Sequence, residues 1–258
     1  QPQFDAAHRY AIVFNGEIYN YRELRRELDD RWRFRTESDT EVLLAAFDRW
    51  GAGCLDRLIG MFALAIWDQR EQTLFAARDP LGIKPLYYAR LPDSGVILAS
   101  ELNALLASGA VPREIDPASV GEYLAWFSVP APRTIYRGIA NLPPGHCLSV
   151  DANGRVNTRA WWHLPAPKAA DIATNYHDFV GGLRAQLDDS IRAHRVADVP
   201  VGAFLSGGMD STAIVHSILG KASFSEDKLA GNARTFLEAI ENAKPSTAKG
   251  TYIKSITM

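Results

Sequence analysis

Phe62-Ala63-Leu64-Ala65-Ile66-Trp67-Asp68, then Thr73-Leu74-Phe75-Ala76-Ala77-Arg78, then Asp79-Pro80-Leu81-Gly82 decides how this chain folds. Two short apolar runs rich in aromatic and branched residues, parted by a polar gap, read as adjacent strands. Asp first, Pro second and Gly fourth is type I turn chemistry. Pro85–Arg90 and Val96–Ser100 continue the pattern with short polar connections. The block is expected to be an antiparallel meander.

Outward from it, Ala11–Phe14 is a short strand candidate that ends at Asn15-Gly16, a pair favouring tight turns. Tyr21–Asp30, with Leu24 and Leu28 four apart, reads as a surface helix. Ser38-Asp39-Thr40-Glu41 is a capping box opening a helix that carries Val42, Leu43, Ala46, Phe47 and Trp50 and stops at Gly51. Downstream, Glu101–Ser108 reads as a helix closed by Gly109. Asp116-Pro117 supplies the N-cap and N1 proline of another.

Residues 128–173 change character. Pro130, Pro132, Pro143, Pro144, Pro165 and Pro167 crowd this stretch, beside an Asp151-Ala152-Asn153-Gly154 turn. It reads as a hairpin-bearing connector. A long amphipathic helix, about Tyr176 to Arg195, leads into the apolar run Val199–Leu205 and then Ser206-Gly207-Gly208-Met209-Asp210-Ser211 before Thr212–Leu219. That is strand, glycine turn, helix, the start of a parallel α/β unit. Two glycines let backbone N–H groups approach an anion, and the following helix points its positive end there. The serines add hydroxyl donors, and Asp210 can hold a cation or cap the helix. The string differs from the Walker pattern, which needs G-x-x-x-x-G-K-[ST], so it reads as a pyrophosphate cradle of another kind.

Composition sets the outer bounds. The 258 residues are 47% hydrophobic and 22% charged, which are globular values. A net charge of -2 leaves no electrostatic footprint for nucleic acid. No apolar run is as long as a membrane span, no signal peptide is visible, and there are no internal repeats. Cys54 and Cys147 make neither a disulfide framework nor a metal-ligand spacing, so a reducing cytoplasm is the expected compartment.

Phe14-Asn15-Gly16-Glu17-Ile18-Tyr19-Asn20, Ser38-Asp39-Thr40-Glu41, Gly60-Met61-Phe62-Ala63, Ala77–Tyr88, Leu142-Pro143-Pro144-Gly145-His146 and the Ser206–Ser211 loop together resemble glutamine-hydrolysing asparagine synthetase, in the same order along roughly residues 1–218. The resemblance implies an α+β N-terminal-nucleophile hydrolase sandwich, antiparallel sheets between helices, followed by an incomplete α/β domain of the ATP-pyrophosphatase kind. The divisions it suggests are 1–127 for the amidotransferase domain, 128–173 for the connector, 174–219 for the start of the second domain and 220–258 for a tail. In that family an N-terminal cysteine hydrolyses glutamine, with its own α-amino group as base. ATP then adenylates aspartate and ammonia displaces AMP.

Carried over by position, Asn15 and the Gly16 N–H would form the oxyanion hole. Asn15, Gly16, Glu17 and Asp39 would line the glutamine site, with Glu17 and Asp39 holding its α-amino group. Leu205, Ser206, Gly207, Gly208, Asp210 and Ser211 would hold ATP, its pyrophosphate accompanied by Mg²⁺. Taken singly, Asn15-Gly16 is also an ordinary turn, Asp39 an ordinary first-turn helix charge and Glu17 a solvated residue; their shared register favours the site. No protein side chains are singled out as resident metal ligands. The implied partners are glutamine, aspartate and ATP, with neither membrane nor nucleic acid, and a homodimer left open.

Two departures stand out. Residue 1 is Gln, and Gln1-Pro2-Gln3 resembles a stretch several dozen residues into the family sequence. The nucleophile, a glutamine-binding arginine and at least one strand are then missing, and neither Cys54 nor Cys147 is placed to substitute. The chain as given is expected neither to hydrolyse glutamine nor to exchange pyrophosphate into ATP with aspartate. After Leu219 the synthetase pattern stops. Gly220–Phe224, the helix Glu226 to Ala243 and Ala248–Thr257 resemble the C-terminal part of the large-subunit ribosomal protein L-one family, with six Lys or Arg against four Asp or Glu. A chimera joined near Ser217–Gly220 is the simplest account. The rival functions are amidation of a different carboxylate, or a non-catalytic module reaching RNA through the tail. Class-II amidotransferases that make phosphoribosylamine or glucosamine phosphate share the first domain type but lack the S-G-G-x-D-S loop.

Overall fold

In a computed structural model that describes residues 1–92, 95–166 and 175–196, the chain divides into two units, Gln1–Lys168 and Ala169–Met258. The expected strand Val199–Leu205, the Ser206–Ser211 loop, the helix after it and the tail 220–258 lie outside the described residues. The first unit runs β1 (Gln3–Phe4), β2 (Tyr10–Ile18), α1 (Tyr21–Leu28), α2 (Asp39–Trp50), a 3-10 turn (Gly51–Arg57), β3 (Gly60–Asp68), β4 (Thr73–Arg78), β5 (Tyr87–Arg90), β6 (Val96–Ala99), α3 (Leu102–Ala107), α4 (Pro117–Trp126), β7 (Ile139–Asn141), β8 (His146–Val150) and β9 (Val156–Ala160). In the second, the described helix is α5 (Tyr176–His194), capped by the Asn175 side chain, which accepts from His177 N at 3.0 Å.

The strands form two antiparallel sheets, β1-β2-β3-β4-β8-β9 and β6-β5-β7. Strict alternation along each strand builds the layers. In β3, Phe62, Leu64 and Ile66 pack among Leu24, Leu28, Val42, Leu43 and Ala46 of α1 and α2. Its alternate residues, Ala63 and Ala65, face Leu86, Leu142, Leu148, Tyr88 and Leu98 from the sheet–sheet side. In β5, Tyr88 faces that same layer, while Tyr87 and Ala89 turn outward onto Leu105 and Leu106 of α3. The result is helix, sheet, sheet, helix, the expected α+β sandwich. Alanines at 63, 65 and 76 fit where both faces of the large sheet are covered.

The expected single meander is two hairpins in different sheets. β3 pairs with β4 and β5 with β6, but the second neighbour of β4 is β8 and that of β5 is β7. The chain changes sheet between Arg78 and Leu86, where Pro80 and Pro85 lack ladder donors. The 128–173 hairpin is likewise no free-standing connector. β8 lies along β4, β9 extends the same sheet, and β7 completes the smaller one.

Arg78 and Asp79 hold this crossing. Asp79, 1% exposed, accepts from the backbone N–H groups of Leu81 (3.1 Å), Ile83 (2.9 Å), Lys84 (2.9 Å) and Phe62 (3.2 Å). Its carbonyl accepts from Gly82 N at 3.1 Å, closing the expected turn, and from Gly145 N at 2.9 Å. The Arg78 guanidinium donates to the carbonyls of Lys84, Gly82 and Leu142, each at 2.7 Å, and to Asn141 Oδ1 at 2.9 Å. Burial lowers its pKa, yet an arginine stays charged, and four oxygens surround that charge. Asp79→Ala would strand four amides, and each buried unsatisfied donor costs about 1–3 kcal/mol. Urea unfolding should show a loss of about 3 kcal/mol or more for Asp79→Ala, and about half that for Asp79→Asn, which keeps one acceptor. A loss below about 1 kcal/mol would contradict the clamp.

Candidate functional site

The site is built at the end of β2. Tyr10, Ile12, Phe14 and Ile18 point into the helix-side core, so Val13, Asn15 and Glu17 point the other way. Val13 is 46% exposed and Asn15 is exposed, because the smaller sheet does not cover this corner. The expected tight turn at Asn15-Gly16 does not form. β2 continues in register with β3 to the pair Ile18↔Gly60, and nine paired residues outweigh a local turn preference. Gly16 is required for another reason. A Cβ there would lie 2.2 Å from the Met61 carbonyl oxygen and 2.7 Å from Phe62 Cα; one on Gly60 would lie 2.2 Å from the Glu17 carbonyl oxygen. The two backbones touch at these glycines.

Side chains occupy the outer edge of β2. The Gln1 amide donates to Phe14 O at 2.7 Å, and its Oε1 accepts from Phe14 N at 2.8 Å. Four residues on, Ile18 N donates to Asp39 Oδ2 at 3.1 Å. Alternation along an antiparallel strand turns the Gly16 N–H to the same edge, between those two positions. On the exposed face, Asn15 Nδ2 donates to Ser100 Oγ at 3.2 Å, one residue beyond the end of β6.

Asp39 reaches β2 because α2 starts there. Ser38 is the N-cap, in extended conformation, and accepts from Thr40 N at 3.1 Å. Asp39 follows as the first helical residue, where the helix dipole favours a carboxylate. The expected capping box is only half made. Glu41 does not return to Ser38; it accepts from Thr36 N (2.7 Å), Thr36 Oγ1 (2.6 Å), Arg35 N (2.9 Å) and Trp32 Nε1 (3.3 Å). A loop rich in donors, 3% exposure of Glu41 and the Trp32 indole explain the different partner. Glu41 therefore fixes the segment that delivers Ser38 and Asp39.

Asn15, Gly16 and Glu17 are thus consecutive on one strand, and Asp39 is joined to them through Ile18. Two N–H donors and two carboxylates at one strand end suit a zwitterion that also carries a carbonyl. Leu205, Ser206, Gly207, Gly208, Asp210 and Ser211 lie outside the described residues. Among the described residues, no group of three or more His, Cys, Asp or Glu could hold a metal ion, and no helix is long and apolar enough to cross a membrane. Cys54 and Cys147 are 2% and 3% exposed, away from this edge in the helix-side core. Burial pushes the Cys54 thiol up to about 12 and raises that of Cys147. Sequence reading missed Ser100, which showed only as a strand end, and Arg78, whose four-acceptor environment has no short-range signal.

Two expectations follow from these ionisations. Burial would raise the Glu41 pKa, but hydrogen bonds from Thr36, Arg35 and Trp32 outweigh it and hold the carboxyl below its ordinary range. A depressed folded-state pKa gives stability that is complete above the unfolded value, about 4.3, and is lost as pH falls through the folded one. Acid unfolding followed by circular dichroism should be shallower below about pH 4 in Glu41→Gln than in the parent, with lower stability at neutral pH. An unchanged acid limb would contradict this role for Glu41. A thiol held at about 12 is almost wholly protonated at pH 8. An aromatic disulfide reagent should therefore leave Cys54 unmodified in native protein and label it in denaturant; fast native labelling would contradict its burial.

A model of the glutamine amidotransferase domain matches residues 1–162, and one of asparagine synthase matches residues 182–244. The second match crosses Leu219, so the break expected there falls inside it. The chain is 39% identical over 207 residues to the glutamine-hydrolyzing asparagine synthetase 3 of Bacillus subtilis, covering 80% of this chain and 33% of that protein. It is 43% identical over 217 residues to a putative glutamine-hydrolyzing asparagine synthetase of Mycobacterium bovis, covering 81% and 33%. To the amidase chry2 of Gibberella zeae it is 34% identical over 215 residues, covering 83% and 31%. The chain spans about a third of the length of these relatives. Solved structures that resemble it include the allosteric regulatory enzyme of purine biosynthesis (TM-score 0.47, 21% identity, 84% of this chain and 45% of that one) and the glutamine phosphoribosylpyrophosphate amidotransferase of B. subtilis (TM-score 0.45, 19% identity, 84% and 46%). With residues 1–162 matched by that domain model, the chain belongs to the glutamine amidotransferase domain family.

Proposed function

We propose that this chain carries the glutamine site of an asparagine synthase, a protein that amidates aspartate with glutamine-derived ammonia at the expense of ATP. The observation that supports this most is the succession, on one polypeptide, of a glutamine amidotransferase match and an asparagine synthase match. Glu17 and Asp39 hold the α-ammonium group of glutamine. Asn15 Nδ2 and the Gly16 N–H donate to the carboxamide oxygen as it gains negative charge, and losing one such donor typically costs about 10²–10³ in rate. The attacking thiol is neither Cys54 nor Cys147, since both are buried and held protonated.

In the second unit, Ser206, Gly207, Gly208, Asp210 and Ser211 suit a pyrophosphate by donor set: two hydroxyls, two glycine amides, and a carboxylate for Mg²⁺, with Leu205 beside the nucleotide. ATP, when bound, activates the acceptor carboxylate towards ammonia. A second reading keeps this chemistry and changes the acceptor to another carboxylate; two relatives at 34% and 33% identity over 83% of this chain are named amidase rather than asparagine synthetase. For residues 220–244 the asparagine synthase match, which runs to residue 244, opposes the ribosomal resemblance. Continuous genomic reads across codons 217–220 would reject an assembly artefact.

Titration calorimetry tests the site directly. L-Glutamine should bind, D-glutamine should not, and Asp39→Asn should weaken binding about tenfold or more, the scale of one charge-assisted hydrogen bond. The asparagine retains an acceptor for Ile18 N, so the fold is kept. Equal affinity in parent and Asp39→Asn, or no heat in either, would contradict the proposal.

A further inference from the structure

We propose that Ser100 is a positioning residue for the glutamine carboxamide, acting through Asn15; this rests on the reading of Asn15 as an oxyanion donor. The two residues come from different sheets and are 85 positions apart. β6 ends at Ala99 and delivers a half-buried Ser100 to the exposed face of β2, where its Oγ lies 3.2 Å from Asn15 Nδ2.

Physical chemistry gives this contact its role. The terminal torsion of an asparagine is broad and roughly two-fold, so an exposed Asn15 on its own would sample many amide planes. A carboxamide nitrogen carries two hydrogens. With one engaged by Ser100, the second is held in a fixed plane on the exposed face of β2, one residue from the Gly16 N–H. A serine hydroxyl both donates and accepts, so Ser100 sets the amide plane rather than its flip. The flip is set by the substrate oxygen, which accepts N–H and repels Oδ1. A donor fixed before charge develops needs no reorganisation when it does. The same contact is a poor stabiliser of the fold, because water replaces an exposed neutral hydrogen bond at little cost.

The test uses the ¹⁵N-labelled chain and follows the Asn15 side-chain Nδ2 hydrogens while L-glutamine is titrated. In the parent, one of the pair should exchange with water more slowly than the other, and glutamine should shift the resonances of Asn15, Gly16, Glu17 and Asp39. Ser100→Ala should equalise the pair and weaken glutamine about fivefold, the scale of one neutral hydrogen bond, with an unchanged thermal midpoint. Ser100→Thr, which keeps the hydroxyl, should restore both signals. Adding Ser100→Ala to Asn15→Ala should weaken binding no further than Asn15→Ala alone, since the serine acts only through that amide. Parent-like affinity and parent-like Asn15 signals in Ser100→Ala, with glutamine still shifting the four residues, would overturn the role of Ser100 and leave the site standing. Equal loss in Ser100→Ala and Ser100→Thr would also overturn it, pointing to packing. Glutamine that shifts none of the four residues would overturn the site and the role of Ser100 together.

Discussion

The buried pair Arg78–Asp79 is the constraint on which the remaining structure depends. One carboxylate gathers four backbone amides from β3 and from the 81–84 turn, and the neighbouring guanidinium gathers oxygens from the same turn and from 141–142. The two side chains are adjacent in sequence but face separate ligand sets. Each charge takes its hydrogen bonds from backbone groups, and for Arg78 also from Asn141 Oδ1, while the adjacent Asp79 charge favours the Arg78 cation; this is how a buried charge escapes most of its desolvation cost. Removing either would open the point where the polypeptide passes from one sheet to the other.

That passage determines what the sheets can present. β3 and β4 stay in the large sheet; β5, β6 and β7 stack over its Ala63, Ala65 and Ala76 face. The smaller sheet stops short of β2, leaving Asn15 exposed while bringing Ser100 to its side. On the opposite face α2 packs over the same strand and is capped by Ser38, so its first residue, Asp39, meets Ile18. A strand end between two layers, with a helix N-terminus on one side and a sheet edge on the other, collects donors and carboxylates that are far apart in sequence.

Much of this was legible. β4 matches its expected bounds at Thr73–Arg78, the Ser38 and Asp116 caps stand where their chemistry put them, and the apolar run Phe62–Asp68 lies within the core strand Gly60–Asp68. Three features were not. Asn15-Gly16 has turn chemistry, but its glycine serves a close contact between strands, which only the partner backbone reveals. Glu41 fits a capping box, yet a buried loop with more donors claims it. The meander broke into two sheets because strand partners are chosen across the whole chain, and β8 lies about seventy residues beyond β4 (Ala77↔Cys147). Of the site, the family resemblance supplied Asn15, Gly16, Glu17 and Asp39. Geometry added the Ser100 contact and the four oxygens around Arg78, which carry no local signal; of the Asp79 clamp only its turn was legible, in Asp79-Pro80-Leu81-Gly82.

Amide hydrogen exchange in the native protein tests this account most directly. If the Asp79 clamp ties the sheets together, the N–H groups of Phe62, Ile83, Lys84 and Gly145 should exchange only through global unfolding, as slowly as those of the β3 core, although residues 81–84 have an exposed outer side. Exchange of Ile83 and Lys84 at the rate of an ordinary surface turn, with β3 still protected, would show that the crossing opens on its own and would contradict the account.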